Sequence, residues 1–353
     1  MPYEIIVKCI DQADFIEKTV IRTLSTHLDV GTGNRNQLFF VAFQQNQIVG
    51  ALLAFRRPTT TMVRLVKLWI NSPGDGAAIG TAIFLALEDW SVQAGIHAWR
   101  ISADWAADDF PEDFVALLNV DRSSVRGGYL QRWLTKRSPL INSATFLYPQ
   151  TTDFTCGAAC LMMAFATLDQ SVIPHRRLEL QLWREATSVV SLDGPGGCDP
   201  YGVALAAAAR GFATSVFIST SDTVLIEAED SDANRDIIAF AQAQLRSSLT
   251  ETLVEVKQQA FSIEQLRSAI GRGAAAIVLV DQLETHGRTV PHWILIHSAD
   301  ETFFLANDPW FERTDQELPI DVVDLPIGDA VLDKMCWYGT PPYRAAVLIE
   351  PRV

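Results

Sequence analysis

Apolar side chains recur at helical spacing over residues 10–28, at Ile10, Ala13, Phe15, Ile16, Val20, Ile21 and Leu24, with Asp11 placed to cap the start. The pattern then changes period. Gln37–Phe43 (QLFFVAF) and Ile48–Phe55 (IVGALLAF) are apolar runs separated by Gln45-Asn46-Gln47, which predicts a β-hairpin. Val63–Ile70 (VRLVKLWI) alternates and predicts a third strand. The Pro/Gly-rich stretch from Asn71 to Gly76 opens a long apolar helix predicted over 77–94 and stopped by Gly95, and Ala98–Ala103 predicts a further strand.

A second series begins near residue 148. The segment Tyr148–Leu168 (YPQTTDFTCGAACLMMAFATL) is turn-like at first, then small and apolar from Cys156 on, which predicts a buried helix capped by Thr155 or Asp153. Asp193–Gly202 (DGPGGCDPYG) is a turn-rich loop leading into an apolar helix at Val203–Arg210. Residues 227–236 (EAEDSDANRD) read as a solvated acidic loop. Ser262–Gly271 predicts a short amphipathic helix, and Ala274–Val280 a fully apolar central strand. His292–Ser298 and Thr302–Asn307 predict a hairpin about Ala299-Asp300-Glu301, and Ala345–Ile349 a last strand.

Composition adds a boundary. The chain has 353 residues, 48% of them hydrophobic, enough for two domain cores and unlike a disordered, collagen-like or disulfide-dense chain. The formal net charge is −14, from 28 basic and 42 acidic side chains. Residues 1–140 hold 14 of each, so the whole excess lies in the last 213 residues. Thr135–Ala144, with Pro139, reads as a connecting segment, giving expected domains at 1–138 and 146–353 with a linker at 139–145. An acidic surface repels phosphates and argues against nucleic acid as a partner. No basic n-region precedes an apolar run at the N-terminus, and no stretch is long and apolar enough to span a membrane. The five cysteines (Cys9, Cys156, Cys160, Cys198, Cys336) are odd in number and irregularly spaced, and so are expected to be free thiols in a reducing cytoplasm. They contain no C-x-x-C pair, and no metal site is expected.

One thiol stands out. Cys156 falls in the first turn of the predicted helix, where the helix dipole and unpaired N–H groups favour a thiolate. Gly157 beside it leaves room for a substrate backbone, whereas Cys160 lies one turn on, inside the apolar stretch, and is expected in the core. Among six histidines, only His292 lies where the pattern also supplies a carboxylate. A hairpin symmetric about Asp300 sets His292 opposite Asp308, on the face shared with Ile294, Ile296, Phe304 and Ala306. His297 falls on the other face and reads as structural.

Gln150, Cys156-Gly157, His292 and Asp308-Pro309, in that order and with these elements, resemble the C39-type, papain-like cysteine peptidases. The resemblance runs over roughly residues 143–350. It implies that Cys156 is the nucleophile, that His292 accepts and returns its proton, that Asp308 orients the imidazole, and that the Gln150 amide with the Cys156 N–H forms the oxyanion hole. It further implies a papain-like domain of helices and an antiparallel sheet. The turn-rich loop is expected to wall the substrate cleft, with Gly157, Gly197, Cys198, Tyr201 and Trp293 as substrate-binding positions. The expected substrate is a basic or neutral peptide or protein, from the acidic charge of the domain.

The order of elements in residues 1–138, with Gly128-Tyr129 ahead of the last strand, resembles the GNAT acetyltransferase fold, a mixed sheet with helices. That resemblance implies acetyl-CoA binding at the start of the long helix, through Gly76, Ala78 and Gly80. Asp75 stands where a cation or amide is usual and would repel a pyrophosphate. The expected whole is a two-domain α+β protein acting as a cysteine peptidase. Acyl or peptidyl transfer, GNAT acetylation of an amine, and a non-catalytic peptide-binding module are the other readings.

Overall fold

The computed structural model describes residues 5–11, 24–28, 36–71, 75–102, 117–118, 128–135, 146–188, 190–191, 194–226 and 231–352. The expected linker at 139–145 and most of the expected helix over 10–28 lie outside these residues. The chain divides into two compact units, Met1–Arg137 with Glu312–Asp321, and Ser138–Phe311 with Val322–Val353.

The first unit is built on a six-stranded sheet in sequential order: β1 (Ile6–Asp11), β2 (Gln37–Gln44), β3 (Gln47–Phe55), β4 (Met62–Ile70), β5 (Ala98–Ser102) and β6 (Tyr129–Trp133). Helix α1 (Gly76–Gln93) carries the crossover between β4 and β5, the one parallel pair of this sheet. The runs in β2 and β3 are apolar on both faces because both faces are covered. Phe40 and Leu52 pack with Ile79, Ile83, Phe84 and Leu87 of α1. Phe39, Val41, Ala51 and Leu53 pack with Leu24 and Leu28, from the helical residues 24–28. The sequence pattern does not predict a strand at Ile6–Asp11, and Ile10 falls in the helix expected over 10–28. Strand β1 pairs antiparallel with β2, Ile10 opposite Phe39, and in so short a run the two periods are not distinguishable.

The division departs from the expected domains at Glu312–Asp321, a segment far along the chain that groups with the first unit. Its anchors are buried. Arg57 pairs with Glu317 at 3.2 Å and Arg64 with Asp321 at 2.7 Å. Arg100 donates to the Ile320 carbonyl, and the Gln37 amide to the Gln316 side chain at 2.9 Å.

The second unit has a seven-stranded sheet in the order β10 (Glu255–Lys257), β9 (Ala213–Ile218), β15 (Ala345–Glu350), β11 (Ala275–Asp281), β12 (Pro291–Ala299), β13 (Phe303–Asn307) and β14 (Leu325–Gly328). Every neighbour pair is antiparallel except β10 with β9 at the edge. Helix α2 (Cys156–Leu168) lies on β11 and β12, and its apolar residues share a core with Ile277, Leu279, Trp293 and Leu295. Helices α3 (Arg176–Ala186) and α4 (Pro200–Ala208) pack against it. A two-stranded ribbon, β7 (Val190–Ser191) with β8 (Gly194–Pro195), lies between these helices in the chain.

Two expectations are corrected in this unit. Residues 232–236 are not loop but the first turn of α5 (Asp232–Ser248), capped by the Ser231 hydroxyl on the Asn234 N–H at 3.2 Å. The helix buries the polar residues Asn234 and Gln242 and exposes Ile237 and Phe240, so no apolar stripe marks it. The β12–β13 hairpin is also displaced. Leu295 faces Asn307 and Ile296 faces Ala306, with a bulge before Ser298, where the expected register set Ile294 opposite Ala306. The displacement is two residues, so each side chain keeps its face.

Candidate active site

Cys156 is the first residue of α2 and is buried. The loop ahead of it is held by Glu179 of α3, a fully buried carboxylate. It accepts from the Thr151 N–H at 2.7 Å, the Thr151 hydroxyl at 2.8 Å, the Thr155 hydroxyl at 2.6 Å and the Tyr148 hydroxyl at 3.1 Å. Burial and the adjacent Glu179 push the Tyr148 hydroxyl up to about 12, so it stays a donor. Thr155 is the N-cap residue, yet its side chain makes no cap bond because the hydroxyl is committed to Glu179. The helix start beside the thiol is therefore not blocked by its own cap.

His292 and Asp308 come together although they are not directly opposite. With the register displaced by two they are diagonal neighbours, and the long imidazole spans the gap. Its Nε2 lies 2.6 Å from the Asp308 Oδ1. The Cys156 side chain also bears on the ring and favours its charged form. Burial disfavours the charged ring, but the Asp308 carboxylate, with a further contribution from Cys156, outweighs it and raises His292 to about 10. The same Asp308 oxygen accepts the Trp310 N–H at 2.8 Å, and the Asp308 N–H donates to the Val322 carbonyl at 2.9 Å. His297, by contrast, pairs with Asp324 at 3.2 Å.

Gln150 sits beside this pair, its N–H bonded to the Pro309 carbonyl at 2.9 Å. Its side-chain amide donates to the Thr152 carbonyl at 2.8 Å, and its Oε1 is buried without a hydrogen-bond partner. One amide hydrogen therefore folds back on the loop, leaving the second for another acceptor.

The expected substrate-binding positions are mostly interior. Gly157, Cys198, Tyr201 and Trp293 are buried, and Gly197 alone of the five is exposed. Gly157 makes room for the protein's own core and not for a substrate: a Cβ there would lie 2.6 Å from the Cys198 Cβ and 3.1 Å from the Trp293 Cδ1. The Trp293 indole N–H donates to the Cys198 carbonyl at 3.0 Å, and the Cys160 thiol to the Trp293 carbonyl at 3.3 Å. Burial and the proximity of Cys156 push both Cys160 and Cys198 well up, which keeps them as thiols. Gly202 closes the turn-rich loop onto the end of α3, since a Cβ there would lie 2.2 Å from the Ala186 carbonyl oxygen. Asp199 caps α4 through the Tyr201 and Gly202 N–H groups, and burial raises it to about 6.

Two residues here were not anticipated, Glu179 and Trp310. Glu179 carried a readable signal: it shares the buried face of α3 with Leu182 and Ala186 at spacings of three and four. In the first unit, Asp75 is the N-cap of α1 and makes no side-chain cap bond, Ala78 is exposed and Gly80 buried. Asp75 puts an exposed carboxylate at the helix start, which does not fit a pyrophosphate.

A thiol at a helix start, an imidazole on which it bears and a buried carboxylate 2.6 Å from the ring define a Cys–His–Asp centre on a helix-and-sheet scaffold. Residues 145–350 match the model of the Peptidase_C39-like family, and the chain belongs to that family. Comparison with curated proteins gives no match. Solved structures similar to part of the chain include an aminoglycoside 6'-N-acetyltransferase from Enterococcus faecium (16% identity, 38% of this chain and 99% of that one, TM-score 0.30). Others are an IAA acetyltransferase from Bacillus cereus (13%, 37% and 100%, 0.25) and the ribosomal-protein-S18-alanine N-acetyltransferase from Escherichia coli (10%, 39% and 99%, 0.28). Among the described residues, no helix is long and apolar enough to cross a membrane.

Proposed function

We propose that the second unit is a cysteine peptidase acting through a thioester on Cys156. The observation that carries this reading is the His292–Asp308 pair, 2.6 Å apart and buried, with the Cys156 thiol at a helix start bearing on the ring. A ring raised to about 10 keeps its proton at neutral pH and supplies the counter-charge a thiolate needs. In this reading the Cys156 sulfur attacks the scissile carbonyl, and the carbonyl π electrons move onto oxygen. The Cys156 N–H and the second Gln150 amide hydrogen receive that oxyanion. His292 then gives its proton to the leaving amine, the C–N bond breaks, and the acyl group remains on sulfur. Water, deprotonated by His292, attacks the thioester and releases Cys156. Asp308 keeps the ring in the tautomer and orientation that serve both steps.

No step is assigned to acetyl-CoA, because an exposed Asp75 carboxylate at the start of α1 disfavours a pyrophosphate there. Interception of the thioester by an amine uses the same centre and is told from hydrolysis by its product. An electrophilic probe such as iodoacetamide is expected to label Cys156 faster than Cys9, the exposed thiol, and to lose that labelling in Cys156→Ala. Uniform, slow labelling of all thiols would overturn the proposal.

A further inference from the structure

The second unit holds a cavity of about 730 Å³ that none of Gln150, Cys156, His292 and Asp308 lines. It lies at the end of the sheet where β9 finishes, β15 begins and β11 passes to β12, so Thr220, Tyr343, Asp281 and Val290 all contribute to its wall. This is the end that carries the catalytic imidazole. Across β11 and β12, Val280 faces His292 and Asp281 faces Pro291. Val290 is two residues before His292, and two residues of chain span at most about 7 Å. The volume is that of a small-ligand pocket, a class that runs from about 300 to about 1,000 Å³.

Its lining names the ligand. Asp281 Oδ1 accepts the Leu283 N–H at 3.0 Å and the Val290 N–H at 3.2 Å, while its Oδ2 has no partner among the described residues. Asp222 is exposed, and its carboxylate has no partner among them either. With Arg235 of α5 also in the wall, two carboxylates stand against one guanidinium. Beside them, Trp337 and Val290 leave 38% and 39% of their surface exposed. Apolar surface next to unpartnered carboxylates suits a side chain with an aliphatic stem and a cationic tip. We propose that this cavity receives a lysine or arginine side chain of the peptide substrate, its stem on Trp337 and Val290 and its charge at Asp281 Oδ2 and Asp222. This rests on the reading of Cys156 as the nucleophile of a peptide hydrolysis. An extended peptide advances about 3.3 Å per residue, so four residues cover about 13 Å, more than the chain from His292 to Val290. The basic residue therefore falls within four positions of the scissile bond.

The test is a cleavage screen of the full chain on a peptide library, with each cut bond located by mass spectrometry and the four residues on either side read. The measured quantity is the ratio of cleavage rates for Lys or Arg against Ala at each position, in which a general loss of catalysis cancels. In the wild type, one position is expected to favour the basic residue about tenfold, the scale of one charge-assisted hydrogen bond. Asp222→Asn with Asp281→Asn, which keeps the Oδ1 acceptor for Leu283 and Val290, is expected to bring that ratio to about twofold or less. If the double variant does not fold, the exposed Asp222→Asn carries the measurement alone, beside the wild type in raised salt, where the ratio is expected to fall. A library cut without a basic preference at any position, or a preference that the folded variants keep, overturns the assignment of the cavity alone. A library that the wild type does not cut overturns the reading of Cys156 itself.

Discussion

Gly157→Ala perturbs the site through one methyl group. The added Cβ would lie 2.6 Å from the Cys198 Cβ, 3.0 Å from its Sγ and 3.1 Å from the Trp293 Cδ1, where ordinary contact begins at about 3.4 Å. None of these neighbours is the free end of a flexible chain. Cys198 is pinned at its carbonyl by the Trp293 indole, and Trp293 is buried in the core that α2 shares with the sheet. The start of α2 must therefore give way. Overpacking of this kind costs about 1–3 kcal/mol, read as a lower urea midpoint with unchanged m-value. The larger effect is expected on reactivity, because Cys156 is the next residue and a shift of even about 1 Å at a reacting atom costs on the order of 100-fold. The assay is Cys156 alkylation at pH 7 beside urea unfolding. Gly157→Ala with Cys198→Gly, which removes the closest clash, is expected to recover most of both. A single variant with wild-type stability and wild-type alkylation would refute the reasoning that Gly157 is there for close packing.

Removing the Asp308 charge has a signed pH effect. Burial penalises the imidazolium, but Asp308 raises His292 from its ordinary 6.5 to about 10, so the pair's stabilisation is whole below about pH 6.5 and is lost as pH rises toward 10. Thermal melts of Asp308→Asn should lack that alkaline decline; equal slopes in both proteins between pH 6.5 and 10 would contradict the assignment. Glu179→Ala leaves four donors of the Tyr148–Thr155 loop without their acceptor. It is expected to destabilise by about 3 kcal/mol or more in urea unfolding, with a smaller loss in Glu179→Gln. A loss under about 0.5 kcal/mol would show that the loop is held otherwise.

The chemistry of the site was legible where it depends on side-chain parity. The hairpin turn was placed wrongly, yet His292 and Asp308 still meet, because a slip of two residues preserves faces. The helix start at Cys156 was legible from the change from turn-formers to small apolar residues. The use of Gly157 was not: that glycine packs on Cys198 and Trp293, both distant in sequence, and the Cys-Gly pair is as compatible with substrate access as with close packing. Gln150 was placed beside the centre, but its bond to the Thr152 carbonyl is a matter of rotamer, which sequence spacing does not set. The hold on Glu312–Asp321 was illegible for another reason. Arg57, Arg64 and Arg100 lie more than 200 residues from their partners, and each alone reads as an ordinary surface charge. The acidic excess of the chain's later part thus contains carboxylates that are buried pairs, not surface charge.

The central claim is that Cys156 is the nucleophile of a peptide-bond hydrolysis. A peptide-library cleavage screen with the wild-type chain and Cys156→Ala tests it most directly. Hydrolysis of a subset of peptides by the wild type, with none by Cys156→Ala, is the predicted result. Cleavage that survives Cys156→Ala, or a wild type that labels at Cys156 yet cleaves nothing in the library, would contradict it.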